Sequence, residues 1–185
     1  MRFTKIFAAL ATVTLAISLT PSTASATSPS DPWPIDWTGP NAWTNRQLAA
    51  QTIFTCSSEG SLHGQANNVR SGLGGIALVG TGASPNLKKQ ILKLRKLSPN
   101  GVGLVVASDE EGGWVQRLRH AIYDLPSATT MGAWSDSKIT RTAYAYGKKM
   151  KALGVDIAFS PVADLNVPGF FIAENRRGFS SKPAV

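Results

Sequence analysis

Four short, continuous apolar runs constrain this chain more than any other feature. They are TIFTC (52–56), GGIALVG (74–80), VGLVVAS (102–108) and VDIAFSPV (155–162). Each is strand-sized and mostly β-branched or apolar, the pattern of strands in a buried parallel sheet. Helical patterns separate most of them. TNRQLAAQ opens with Thr44 and carries Gln47 three residues on, a capping box. GQANNVRSG reads as a helix ending at Gly72. Ser84 and Pro85 read as an N-cap and first helical residue, followed by a stripe of Leu87, Ile91 and Leu94. Ile139, Ala143, Tyr146, Met150 and Leu153 recur at spacings of four and three. They predict an amphipathic helix facing the sheet, with Lys148, Lys149 and Lys151 exposed and Gly154 as its left-handed stop. Two α/β architectures accommodate this alternation: a doubly wound open sheet, and a (β/α)8 barrel. In both, chemistry sits beyond the carboxyl ends of the strands.

That rule directs attention to 104–118, LVVASDEEGGWVQRL. A strand stops at three carboxylates, and two glycines permit a tight turn beneath a ligand. Asp109 follows the third strand and Asp164 the fourth. An ionised carboxylate there accepts hydrogen bonds from sugar hydroxyls, and the Arg117 fork can hold an acetamido or carboxylate oxygen. The alternative is that Asp109 caps a turn while Glu110 and Glu111 are solvated loop charges. For Asp109 the functional reading is preferred; for Glu111 both stand. GTG at 80–82 does not make a dinucleotide loop, because Pro85 takes the sixth position of the glycine-rich pattern. His63 and His120 lack metal-ligand spacing with each other and with Cys56, and His120 reads as an exposed loop residue. No nucleophile elbow supports a serine triad. Cys56 is the single cysteine. It allows no intrachain disulfide and reads as a buried, inert thiol.

The first 26 residues have the form of a secretory signal: Arg2 and Lys5, an apolar stretch over 6–19, and ASA at 24–26. Residues 27–43, rich in Ser, Pro and Trp, read as a linker, and 44–185 as the folded domain. Cleavage after Ala26 leaves 17 basic against 11 acidic residues, a net +6. Such a charge suits either an anionic cell-wall polymer or simple solubility. Nucleic acid is disfavoured, because no basic run is interleaved with stacking aromatics. No later segment approaches the roughly 20 apolar residues needed to span a bilayer.

VASDEEGGWVQRL followed by LPSATTMGA resembles glycoside hydrolase family 3, and most of all its bacterial β-N-acetylhexosaminidases. That family carries an Asp-(Gln/Glu)-Glu-Gly-Gly-Arg-Val-Gln-Arg segment after its third barrel strand. LAAQTIFT, GLGGIALVG and LGVDIAFSPVADLN resemble its first, second and fourth strand regions. NRRGFSSKPAV is similar to its Arg-Ser-Phe segment. Trp114 stands where the family has its first motif arginine, Gly178 where it has serine, and Lys182 where Asp is usual. The resemblance implies a TIM-barrel type α/β fold with only the first half, about four strands, in this chain. It implies substrate contacts from Asp109, Arg117 and Arg177, with Arg176 as the alternative if the loop slips by one, and a lining role for Glu111 and Asp164. The implied reaction is retaining hydrolysis of terminal β-linked N-acetylglucosamine from cell-wall or chitin fragments, with no metal or cofactor. The family's Lys-His segment, His-Asp loop and nucleophilic Asp have no counterpart up to Val185, so no catalytic residue is assigned. The rival expectation is a truncated, inactive product or a saccharide-binding remnant.

Overall fold

The computed structural model describes residues 43–58, 62–80, 82–99 and 102–183. The stretch read as an export signal, 1–26, and all of the stretch read as a linker except Trp43 lie outside them. The elements run α1 (Asn45–Gln51), β1 (Phe54–Ser58), α2 (Ala66–Arg70), β2 (Gly75–Val79), α3 (Leu87–Arg95), β3 (Val105–Ser108), β4 (Glu110–Gly112), β5 (Val115–Gln116), α4 (Ala128–Met131), α5 (Asp136–Leu153), β6 (Ile157–Ala158) and α6 (Phe171–Glu174). The Thr44–Gln47 capping box forms at the start of α1. A single 3-10 turn, His63–Gln65, leads into α2.

Strands β1, β2, β3 and β6 form one sheet in that order, every pair parallel. A doubly wound sheet reverses its strand order at a switch point. Here each new strand is added on the same side, which is the order of a barrel wall. The helices agree. Val69 of α2, Leu87, Ile91 and Leu94 of α3, and Tyr146 and Met150 of α5 share one core with Ile76, Leu78 and Val106. Those three strand residues point to one face of the sheet, as their register requires. Ile76, Val106 and Ile91 are fully buried, each such side chain contributing about 1.5–3 kcal/mol.

The opposite face differs from the expectation of strands covered on both sides. Phe54, Ile157 and Phe159 are 40–47% exposed. In a closed barrel that face packs against strands across the interior; the four described strands form an arc. Cys56 lies on this face of edge strand β1 and is exposed, so the buried-thiol expectation fails.

Smaller departures have local causes. Helix α3 begins at Leu87 rather than Pro85, with Asn86 as N-cap. Ser84 Oγ accepts from the Asn86 amide, so it closes a turn before the helix instead of capping it. The fourth strand shrinks to Ile157–Ala158, although Asp156 and Phe159 extend its ladder through amide donation to Val106 and Ser108. On α5, Tyr146 and Met150 are buried, Ile139 and Leu153 half-buried, and the three lysines exposed. Ala143 is exposed, against expectation. It sits about 40° from the stripe centre at 100° per residue, no further off than half-buried Leu153 on the other side, but a lone methyl does not reach the core. Gly154, at φ 93°, ends the helix as predicted.

A buried polar network joins α5 to the β4–β5 hairpin. Glu110 is 3% exposed. Its Oε1 accepts from Ser108 Oγ (2.6 Å) and from the amides of Arg117 (3.2 Å) and Leu118 (3.0 Å). Its Oε2 accepts from the Tyr146 hydroxyl. Gln116, fully buried, donates to Tyr146 Oη (2.8 Å) and to the Tyr123 carbonyl, and accepts from the Leu125 amide. Burial, then the Glu110 hydrogen bond, push the Tyr146 phenol far above tyrosine's usual range, so it remains a donor. Glu110 is therefore no solvated loop charge. Tyr146→Phe removes that donor and leaves a buried carboxylate oxygen without its partner, so it should destabilise the fold by about 1–3 kcal/mol. The check is a lower urea midpoint at unchanged m.

Candidate active site

The chain alternates faces along a strand, and that alternation sorts the three carboxylates. Ser108 and Glu110 turn toward the helix layer, where Tyr146 meets Glu110. Asp109, between them, follows Val105 and Ala107 onto the opposite face at the carboxyl end of β3. Glu111 returns to Asp109's side and is 8% exposed, so it too is not a solvated loop charge. The turn after it needs glycine. At Gly112, φ is 85° and an added Cβ would lie 2.1 Å from the Pro126 carbonyl oxygen.

Arg117 folds back beside Asp109. Its Nη2 donates to Asp109 Oδ2 at 3.2 Å, and its Nη1 to the Gly80 carbonyl at 3.1 Å. One guanidinium thus ties the end of β2 to the end of β3, with the Gly80 carbonyl as its anchor. Arg117 Nε is buried without a hydrogen-bond partner among the described residues.

Arg177 arrives from the opposite side of the site, on the loop after α6. Its amide donates to the Ile172 carbonyl, which closes the helix end. Its Nε and Nη2 donate to the two oxygens of Glu111 at 2.7 and 2.8 Å, a bidentate pair. The hydrogen bond to Glu111 raises the Arg177 pKa above arginine's ordinary value; desolvation opposes this, and Glu111, Asp109 and Asp164 add charge that supports it. Asp109, Glu111, Asp164 and Arg177 therefore share one electrostatic neighbourhood. Asp164 itself is exposed and makes no hydrogen bond among the described residues. It lies in the loop after β6, at the same end of the sheet as Asp109.

The structure separates the two arginines that the sequence left as alternatives. Arg176 adopts a left-handed conformation, φ 57°, and its Nη2 donates to Thr130 Oγ1 at 3.2 Å. Only Arg177 joins Glu111. Gly178 has no room for a side chain: a Cβ would sit 2.8 Å from Asn166 Cβ. Trp114 is 74% exposed, and Lys182 is exposed as well. His120 is an exposed loop residue with φ 76°. Among the described residues no group of three His, Cys, Asp or Glu side chains is placed to hold a metal ion, and no helix is long and apolar enough to cross a membrane.

Sequence reasoning missed Ser108, Gln116 and Tyr146, which hold the hairpin, and Asp156. The Asp156 carboxylate accepts from the Val106 amide at 2.8 Å and pairs with Arg95, which also donates to the Leu104 and Gly154 carbonyls. The signal for Glu110 was present in the alternation itself. Gln116 and Tyr146 are 30 residues apart and carry no local signal.

Comparisons with known proteins bear on the family and the fold. The chain is 36% identical over 93 residues to a beta-hexosaminidase of Bordetella avium, covering 46% of this chain and 26% of that protein. It is 32% identical over 90 residues to one of Neisseria gonorrhoeae, covering 44% and 25%. It thus spans about a quarter of these curated relatives. Among solved structures, a glycosyl hydrolase of the GH3 family from Mycobacterium smegmatis superposes with a TM-score of 0.65 at 27% identity, covering 77% of this chain and 43% of that one. A β-N-acetylhexosaminidase from Beutenbergia cavernae gives 0.68 at 22% identity, covering 75% and 45%, a likeness of fold. The fold is that of a partial TIM-type barrel. Residues 65–185, more than half of the chain, match the profile of the glycosyl hydrolase family 3 N terminal domain, and the chain belongs to that family.

Proposed function

We propose that the protein is an exported β-N-acetylhexosaminidase that releases terminal β-linked N-acetylglucosamine with retention. In this reading residues 44–185 supply the sugar-binding side of the site. The observation that carries it is Asp109: a carboxylate on the non-helical face, at the carboxyl end of β3, held beside Arg117 and facing the Glu111–Arg177 pair. Asp109 accepts hydrogen bonds from sugar hydroxyls. Arg117 and Arg177 offer directional donors to ring or acetamido oxygens, and their own carboxylates hold both forks in place. Glu111 acts through Arg177 as its positioning residue. Asp164 adds negative charge at the rim.

The names of the relatives support the substrate class, because both curated proteins above are beta-hexosaminidases. Cell-wall or chitin fragments are the natural source of such ends. Export rests on the sequence: Arg2 and Lys5 ahead of an apolar stretch, then Ala24 and Ala26.

Retaining hydrolysis needs a carboxylate or equivalent nucleophile and a proton donor that later serves as base. In the proposal neither belongs to 44–185. Asp109 and Glu111 are each engaged by an arginine, and Glu110 is sealed against Tyr146.

Three outcomes test the reading. In the catalytically active protein, Asp109→Ala should lower kcat/KM for an aryl β-N-acetylglucosaminide by about 30- to 1000-fold, equivalent to about 2–4 kcal/mol; an unchanged value removes Asp109 from the site. Residues 44–185 alone should show no turnover of that substrate, and turnover lost in Asp109→Ala would instead assign chemistry to residues on this stretch. In a secreting bacterial host, N-terminal sequencing of the exported protein should begin at Thr27; an intact Met1 would refute cleavage.

A further inference from the structure

Beside the Glu111–Arg177 pair lies a cleft of about 180 Å³, lined by Gly113, Trp114, Ser127, Thr130, Asn175 and Arg176. It is continuous in sequence with the site on both walls. Gly113 and Trp114 follow Glu111 by two and three residues, and Asn175 and Arg176 immediately precede Arg177. None of the six has a role in the function proposed above.

The two walls differ in chemistry. One is the Trp114 indole, 74% exposed. It stands on a turn whose position is fixed: Gly113 packs so closely that an added Cβ would meet Ser127 Cβ at 2.9 Å. The other wall is polar. Thr130 Oγ1 lies 3.0 Å from Ser127 Oγ and accepts from Arg176 Nη2 at 3.2 Å. That contact is the single hydrogen bond of the Arg176 guanidinium among the described residues, although the fork carries five donors. Asn175 Nδ2 donates to the Phe171 carbonyl, and its Oδ1 has no partner among the described residues. The left-handed Arg176 backbone is uncommon for a residue with a side chain. It sends consecutive arginines to different partners, Arg177 to Glu111 and Arg176 to Thr130.

A flat apolar surface sharing one cleft with hydroxyls, an amide oxygen and guanidinium donors is complementary to a pyranose ring. Such a ring presents C–H groups on its faces and hydroxyls around its edge. A single exposed tryptophan needs no explanation by itself. Here it lines a cleft of about 180 Å³ together with Arg176, whose guanidinium has donors to spare. We infer that this cleft is a second carbohydrate subsite, which binds a neighbouring sugar of a β-linked N-acetylglucosamine oligosaccharide while Asp109, Arg117 and Arg177 hold the terminal one. The inference rests on the reading of the Asp109 site as a sugar site. It makes oligosaccharides, rather than monosaccharides or short aryl glycosides, the ligands the protein discriminates.

The test is calorimetric titration of the protein with N-acetylglucosamine and with its β-1,4-linked trimer. The trimer should bind about 10-fold more tightly than the monosaccharide, the gain of one aromatic contact and its hydrogen bonds. Trp114→Ala and Arg176→Ala should each remove most of that gain and change monosaccharide affinity less than about 2-fold; Trp114→Phe should keep most of it. Asp109→Ala should weaken both ligands. Trimer affinity unchanged in Trp114→Ala overturns the subsite. Trimer binding that depends on Trp114 but not on Asp109 keeps the subsite and refutes the Asp109 reading. No binding of either sugar refutes both.

Discussion

The carboxylate of Glu110, driven into the helix layer, is the contact on which the rest of the site depends. It accepts from a serine on β3, from two amides beyond the hairpin and from a tyrosine on α5. A buried carboxylate with fewer partners would be costly, since desolvating a charge takes several kcal/mol. The four donors replace its water and thereby join three segments at one point. Because Glu110 is committed to the core, Asp109 and Glu111 on either side are committed to the other face. The placement of the site acids is a consequence of the core contact, imposed by the two-residue period of the strand.

The arginines complete the arrangement from outside. Arg117 bridges the ends of β2 and β3, and Arg177 clasps Glu111 from the loop after α6. Each guanidinium joins elements far apart in sequence, 37 residues in the first case and 66 in the second. A lysine could not replace either, because its point charge lacks the fork that meets two acceptors at once. Positional precision at the rim therefore comes from side chains held by the scaffold, although Arg177 and Asp164 themselves lie on loops.

Much of this was legible in the sequence, for reasons that can be named. The strands declared themselves as apolar runs, and Asp109 lies where the third run ends. The capping box at Thr44 and the stop at Gly154 are local chemistry, and both formed. The misreadings are cases where the environment lies outside the window. Cys56 has apolar neighbours in sequence, yet it sits on an edge strand facing away from the helices. Glu110 and Glu111 look like loop charges until Tyr146 and Arg177 are brought to them from 36 and 66 residues away. Ala143 fits the helical period but its side chain is too short to reach the core. Apolar runs alone left two α/β architectures open, because strand order is a long-range property; the family resemblance pointed to the barrel, and the sequential β1-β2-β3-β6 arrangement agrees.

Basic residues divide along the same line. Arg95, Arg117 and Arg177 each pair with a carboxylate, Asp156, Asp109 and Glu111 in turn. The lysines of α3 and α5, Lys88, Lys89, Lys93, Lys148, Lys149 and Lys151 among them, are exposed on the helix layer. Paired charges cancel at close range, so among the described residues these helix lysines carry uncompensated positive charge, whereas Arg117 and Arg177 are matched by carboxylates. Under the proposed function, an anionic polymer would be drawn to these lysines, while a neutral sugar end would meet the matched pairs of Asp109 with Arg117 and Glu111 with Arg177. Salt weakens the first kind of contact over a Debye length of about 8–10 Å and hardly touches the second. Under the proposed function, attraction to a charged matrix and recognition of a sugar end would therefore draw on different side chains and different physics.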